Sequence, residues 1–160
     1  MAQTVMAIFM LFNMLEGYVK NMSIIDSLPF CTAIEVTYNN KPTLYNYESK
    51  EYNDILHTFM QMSQDGHQMP ALGVALHDET INQKQQGMFV EFVFSGVQIY
   101  DNMPFESLLV QIEPDSQGFN LIRKTDGTYQ GRCFYYNLND SKNMQQLYDV
   151  ILNIVNTHND

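Results

Sequence analysis

The chain has 160 residues and a formal net charge of −10, from 18 acidic and 8 basic residues. This length fits one domain with a sizeable core, and a hydrophobic content of 45% is ordinary for a globular protein. Nucleic acids and anionic membranes attract cationic surfaces, so the charge argues against both as partners. With only 16% charged residues, the surface must be largely neutral and polar, which suits contact with another protein.

A mostly apolar run, Val5–Leu15, lies near the start of the sequence. It is shorter than the roughly 20 residues that a membrane-spanning helix needs. It also lacks the basic start and small-residue cleavage site of a signal peptide. We predict a helix that is apolar on nearly all sides and is covered by the sheet, by another helix or by a second subunit. Besides burial in the core, it is a candidate homodimer surface, formed by Ile8, Phe9, Phe12 and Leu15.

The next segment predicts a β-hairpin followed by a helix. Residues Phe30–Tyr38 alternate in hydrophobicity and predict a half-buried strand, which a turn connects to a return strand, Thr43–Tyr47. Ser49 is the predicted N-cap of an amphipathic helix that ends near Gly66. Apolar residues with helical spacing form one face of that helix: Tyr52, Ile55, Leu56, Phe59 and Met60.

The middle of the chain predicts two strands with weaker connections. Residues Leu72–His77 predict a short strand, and the polar segment Asp78–Gln86 predicts a loop or one helical turn. The run Met88–Phe94 is apolar at every position except Glu91. Such a run predicts a central strand that is covered on both faces. Residues 95–103 predict a looser connection.

Three strands and a helix are predicted for the remainder. Turn residues flanked by β-branched and aromatic runs predict a meander of strands Ser107–Glu113, Gly118–Lys124 and Thr128–Asn137. Asp140 is expected to cap a helix that runs to about Asn156. The sequence therefore predicts a single α+β domain over residues 1–160. Its mostly antiparallel sheet of about five to seven strands packs with an N-terminal, a middle and a C-terminal helix.

The sequence shows no motif of a known catalytic or metal site. His57, His67 and His77 are equally spaced, but they fall on different predicted elements and lack the spacing of metal ligands. We therefore predict no metal, no cofactor and no catalytic residue. Cys31 and Cys133 are too few for a disulfide framework, so free buried thiols in a reducing, cytoplasmic environment are expected.

The two arginines are the best candidates for ligand contact. If the turn at Asp126 and Gly127 has two residues, Arg123 and Arg132 share a face of the sheet; a three-residue turn with a bulge would separate them. Sharing a face, they could bind a carboxylate or phosphate together with Tyr129 and Tyr135. Internal ion pairs with Glu91 or Glu106 are the favoured alternative.

These observations leave three functional classes, in decreasing order of preference. The first is a non-catalytic, acidic domain that binds or regulates a protein partner with a basic surface, as inhibitors, immunity-type proteins and secretion chaperones do. The second is an enzyme or small-molecule-binding protein that uses the arginines and tyrosines. The third is a structural subunit that self-associates through its N-terminal helix.

Overall fold

The computed structural model describes residues 23–139 and 142–157. The predicted helix Val5–Leu15, with its candidate interface residues Ile8, Phe9, Phe12 and Leu15, lies outside these residues, as does the predicted cap Asp140. The α+β class and the antiparallel sheet are confirmed, because every strand pairing in the described residues is antiparallel.

The sheet is the framework of the described region. Its eight strands are β1 (Ala33–Tyr38), β2 (Lys41–Asn46), β3 (His67–Ala75), β4 (Met88–Tyr100), β5 (Met103–Gln111), β6 (Gly118–Thr125), β7 (Thr128–Tyr129) and β8 (Gly131–Asn137). They are ordered β2-β1-β4-β5-β6-β8-β3, and β7 pairs with β6. Strands β2 and β3 are therefore the two edges.

Helices cover both faces of this sheet, but unequally. The described helices are a 3₁₀ helix (Ile24–Phe30), α1 (Lys50–Ser63), α2 (His77–Lys84) and α3 (Gln145–Thr157). The 3₁₀ helix, α1 and α3 share the main hydrophobic core on the first face, where Phe59 and Ile151 are fully buried. The predicted N-cap of α1 is confirmed, since the Ser49 side chain accepts a hydrogen bond from the Tyr52 amide.

Strand β4 lies between β1 and β5, and its residues Met88–Phe94 are buried except for the half-buried Val93, in agreement with the apolar run. Alternate residues point to opposite faces of a strand. Val90 and Phe92 belong to the main core, whereas Phe89 forms a smaller cluster with Leu109 and Tyr129 on the second face. Helix α2 contacts β7 on that second face.

Two connections are more regular than the sequence predicts. Residues 95–103 do not form a loose connection: β4 continues to Tyr100 and turns tightly at Asp101 and Asn102, whose φ values are 50° and 58°. The ring of Tyr100 packs edge-on against Phe134, with 5.3 Å between ring centroids, which anchors this extended hairpin. Residues Asp78–Gln86 contain most of α2, a helix of two turns rather than a loop or a single turn.

Element boundaries differ elsewhere for local reasons. Strand β3 begins at His67, five residues before the predicted start, because its first half pairs with the end of β8. Strand β5 begins at Met103 rather than Ser107, as part of the extended hairpin. Helix α3 begins at Gln145 rather than after Asp140, and the Asn143 side chain accepts a hydrogen bond from the Gln145 amide at 3.1 Å.

Gly66, in the connection between α1 and β3, should tolerate no larger residue without a loss of stability. A Cβ atom there would lie 2.5 Å from the carbonyl oxygen of Asn137, which belongs to the sheet backbone and has little room to move. We expect Gly66→Ala to lower the free energy of unfolding by about 1–3 kcal/mol in urea titrations. Gly96→Ala is the control, because nothing lies within 4 Å of a Cβ at that position. Equal stability of the two variants would contradict the prediction.

Candidate functional site

The second face of the sheet contains a buried carboxylate, Glu91, in the middle of β4. Its side chain is only 3% exposed. Ser107 on β5 and Tyr129 on β7 donate hydrogen bonds to its two oxygens. The ammonium groups of Lys84 on α2 and Lys124 on β6 lie 3.1 Å and 3.2 Å from the same oxygens. Four elements therefore converge on one side chain of a fifth.

The charges in this cluster balance. Lys84 also pairs with Glu35 on β1 at 3.1 Å, so two carboxylates face two ammonium groups. The Nζ atoms of Lys84 and Lys124 lie 5.4 Å and 5.1 Å from the centroid of the Tyr129 ring. Lys84 Nζ is 3.0 Å from the Tyr129 hydroxyl and interacts with that oxygen, whereas Lys124 is placed to be attracted by the quadrupole of the ring.

Burial and pairing act in opposite directions on Glu91. Burial by itself would raise its pKa, but the hydrogen bonds from Ser107 and Tyr129 and the charges of the two lysines outweigh burial and lower the pKa. Burial raises the pKa of Tyr129, and the nearby Glu91 carboxylate raises it further. Near neutral pH the cluster therefore holds an ionised Glu91 and a neutral Tyr129.

Polar contacts hold α2 against the sheet. Thr80 is the buried residue of α2. On either side of it along the helix, His77 and Lys84 make polar contacts with Tyr129. At one end of the helix, the Tyr129 backbone amide donates to His77 Nδ1 at 3.2 Å, and the two rings stack. At the other end, Lys84 Nζ lies 3.0 Å from the Tyr129 hydroxyl. Both ends of α2 therefore contact Tyr129, and the second end also belongs to the charge cluster.

The geometry does not favour acid–base chemistry at Glu91. The carboxylate borders a cavity of about 430 Å³, together with Glu106, Ser107 and Lys124. A general acid or base that works near neutral pH needs a pKa in that range. Glu91 instead has a lowered pKa, and each of its oxygens accepts hydrogen bonds from the chain itself. Its arrangement is that of a structural carboxylate.

The register of the β6–β7 turn resolves the arginine alternatives. Thr125 pairs with Thr128, so the turn has two residues, Asp126 and Gly127, both with positive φ. If the register of the turn continued unbroken along β6, Leu121 would pair with Arg132. Leu121 instead pairs with Phe134, so the register shifts by two residues between β7 and β8. A shift of two residues preserves the face, so Arg123 and Arg132 share one face.

The arginines do not form the predicted ion pairs. Arg123 donates to backbone carbonyl oxygens of Arg132 at 3.0 Å and Pro104 at 2.8 Å. Arg132 is exposed. Every ion pair among residues 23–139 and 142–157 uses a lysine. Glu106, the other predicted partner, accepts from the Asp126 amide instead. The prediction of pairs with Glu91 or Glu106 is therefore wrong.

The candidate tyrosines lie away from the arginines. Arg123 pairs with Leu108 of the main core, whereas Tyr129 pairs with Lys124 of the Glu91 cluster on the second face. Tyr135 pairs with Asn120, four residues before Lys124 on β6, so it shares the second face with Tyr129. Its side chain is 38% exposed. The structure thus does not bring all four candidate residues into one site.

The histidines and cysteines also lie apart. His57 is on α1, His67 begins β3 and His77 begins α2. Among the described residues no group of three metal-ligating side chains converges. Cys31 and Cys133 are free and buried, and burial raises the pKa of both thiols, so they are protonated near neutral pH.

A second surface feature lies on edge strand β3. Leu72 and Val74 on this strand, and Leu76, which follows its last residue and is the N-cap of α2, recur at every second residue and are 85%, 66% and 62% exposed; we call them the apolar edge. Pro70 and a register irregularity between Met69 and Gly73 interrupt the strand, and Leu72 lies within this irregularity. Val74 lies in the part that pairs regularly with β8, Gly73–Ala75. Exposed apolar side chains on an edge strand provide a template for an added strand.

The surroundings of the apolar edge are mainly acidic. Asp78 and Glu79, in the first turn of α2, are exposed and line a depression of about 790 Å³ next to Leu76. Arg132 lies opposite Val74 in the pairing of β8 with β3. The other edge strand, β2, carries Lys41 and Pro42, residue types that discourage strand addition.

Sequence reasoning found only part of these features. Glu91 was evident as the single charge in an apolar strand, but its lysine partners were not, because Lys84 lies in a segment without helical periodicity. The apolar edge was missed because a strand pattern does not reveal which strand has only one neighbour. The sequence feature that could have indicated the apolar edge is the run of apolar residues between Pro70 and the acidic pair Asp78-Glu79.

No protein-family model matches the chain, and the searches of curated proteins and of solved structures found no significant match. Among the described helices, none has the length and apolar character required to cross a membrane.

The Glu91 cluster predicts a large stability effect of charge removal. Glu91→Gln leaves two lysines near a buried site without their shared counter-charge, and we expect it to lower the free energy of unfolding by about 3–5 kcal/mol. Asp54→Asn is the matched control, because the Lys50–Asp54 pair is exposed and screened by solvent, so its loss should change the stability far less. Urea denaturation measures both. A loss at Glu91 as small as that at Asp54 would contradict this account.

The lowered pKa of Glu91 also predicts a pH dependence. A carboxyl group whose pKa is lower in the folded than in the unfolded state stabilises the fold above the unfolded value, and this contribution is lost as pH falls through the folded value. The stability difference between the wild type and Glu91→Gln should therefore be constant at neutral pH and shrink below about pH 4.5. Urea titrations from pH 7 to pH 3 test this; a difference that is independent of pH would refute it.

Proposed function

We propose that this protein is a non-catalytic binding domain whose docking surface is the apolar edge. The observation that carries the proposal is the exposure of Leu72 and Val74 on an edge strand and of Leu76 directly after it. Apolar residues clustered on the surface of a soluble domain are typical of interaction sites. The structural role of Glu91 supports a binding rather than an enzymatic function.

The charges around the edge define the chemistry of the partner. The carboxylates of Asp78 and Glu79 next to Leu76 favour a polypeptide with Lys or Arg beside its docking segment. The net charge of −10 favours encounter with the same kind of partner. Arg132, opposite Val74, could donate hydrogen bonds to a carboxylate or carbonyl oxygen of that segment. The partner is therefore an extended protein segment that is apolar at alternate positions and flanked by basic residues.

Strand addition is the binding mode that this surface favours. An added strand obtains main-chain hydrogen bonds from the free side of β3, and its alternate side chains contact the apolar edge. Specificity would come from the apolar contacts and from the acidic residues beside them. In this proposal the protein sequesters or escorts its partner within the cytoplasm.

Site-directed photo-cross-linking in the native cell tests this function. A photoreactive amino acid is placed at Val74 or, as a control, at Leu44, an exposed apolar residue on the opposite edge. We expect a specific adduct at Val74 alone, joined to a segment with the predicted apolar and basic pattern. A synthetic peptide of that segment should bind the purified protein, and Leu72→Asp should weaken its binding about tenfold or more. Equal cross-linking at both positions, or a captured segment without this pattern, would refute the proposal.

A further inference from the structure

The described chain begins beside the strand that carries the apolar edge. The Gln68 side chain of β3 accepts hydrogen bonds from the Ser23 hydroxyl at 3.3 Å and from the Ile24 amide at 3.0 Å. Ser23 is also the N-cap of the 3₁₀ helix, so contacts with both the helix and Gln68 fix its position. The residues that precede Ser23 must therefore reach the rest of the molecule from a point next to the first half of β3.

The preceding residues contain a segment that matches the edge in chemistry. Val5–Leu15 has no charged residue, and its large apolar side chains include Ile8, Phe9, Phe12 and Leu15. Burial of such side chains against Leu72, Val74 and Leu76 would remove both apolar surfaces from water. Because the segment is uncharged, the carboxylates of Asp78 and Glu79 do not oppose its approach.

The connecting residues are long enough for this contact. Seven residues, 16–22, join the segment to Ser23 and span up to about 24 Å when extended. The six residue-to-residue steps from Gln68 to Val74 cover at most about 20 Å along the strand. A tether of this length holds the segment at an effective concentration on the order of millimolar.

We propose that Val5–Leu15 docks on the apolar edge of its own chain and is displaced when the partner binds. The inference rests on the proposed function in that both use the same surface, and it adds a means of regulation. The protein would then protect its own edge strand from aggregation and expose it only to a partner that competes successfully.

Thiol reactivity tests this inference on the full chain. The two natural cysteines are buried, so Val74→Cys introduces a readily accessible thiol, and Leu44→Cys provides the control on the opposite edge. Each is combined with Phe9→Asp/Phe12→Asp, or with Gln3→Asp/Asn13→Asp, which adds the same charge at polar positions. The rate of maleimide modification is measured over a range of protein concentrations.

We expect the thiol at position 74 to react about tenfold more slowly in the parent chain and in the polar control than in Phe9→Asp/Phe12→Asp, which corresponds to about 90% coverage of the edge. The rate should not depend on protein concentration, and the thiol at position 44 should react equally in all backgrounds. Equal rates at position 74 would overturn the inference. Protection that disappears on dilution would overturn it too, because it would assign the edge to a second copy of the chain.

The same variants separate this inference from the proposed function. If Phe9→Asp/Phe12→Asp removes the protection but Val74 cross-links to no partner, the docked segment stands and the proposed function fails. If the partner cross-links at Val74 while the rates are equal in all backgrounds, the proposed function stands and the docked segment fails.

Discussion

The Glu91 carboxylate determines how the second face of this protein is assembled. A charge in a strand that is buried on both sides is costly unless its oxygens are fully occupied. Here the hydrogen-bond donors come from α2, β5, β6 and β7, so these elements must adopt definite positions relative to β4 before the charge is stabilised. Apolar packing tolerates small shifts between elements, whereas hydrogen bonds to one carboxylate do not.

This arrangement has a consequence for the edge of the sheet. Helix α2 is held on the second face through Lys84 and His77, whereas Val74 pairs with Arg132, which shares the first face with Arg123. The side chain of Val74 is therefore exposed on the face opposite α2, and Leu76 is the member of the apolar edge that lies beside the acidic first turn of that helix. The residues that stabilise the second face are separate from those of the proposed docking surface, so substitutions in the apolar edge should leave the fold intact.

Prediction succeeded where a pattern is local. The apolar run of β4 and the amphipathic spacing of α1, with its Ser49 cap, were sufficient to place both elements, because each buries a continuous face. It failed at α2, whose sequence is polar and whose helix depends on Lys84 and His77 reaching Tyr129. It also failed for Arg123, where the partner is a backbone carbonyl that no side-chain pattern indicates.

The class of the fold follows from local sequence, since strand and helix periodicities are properties of short segments and their order favours an antiparallel sheet. Which strand became an edge, and which lysines reached Glu91, followed from pairings between residues far apart in the chain, such as β3 with β8. Such contacts depend on the simultaneous positions of several elements. No single segment of the sequence contains that information, and so the apolar edge became evident only in the assembled structure.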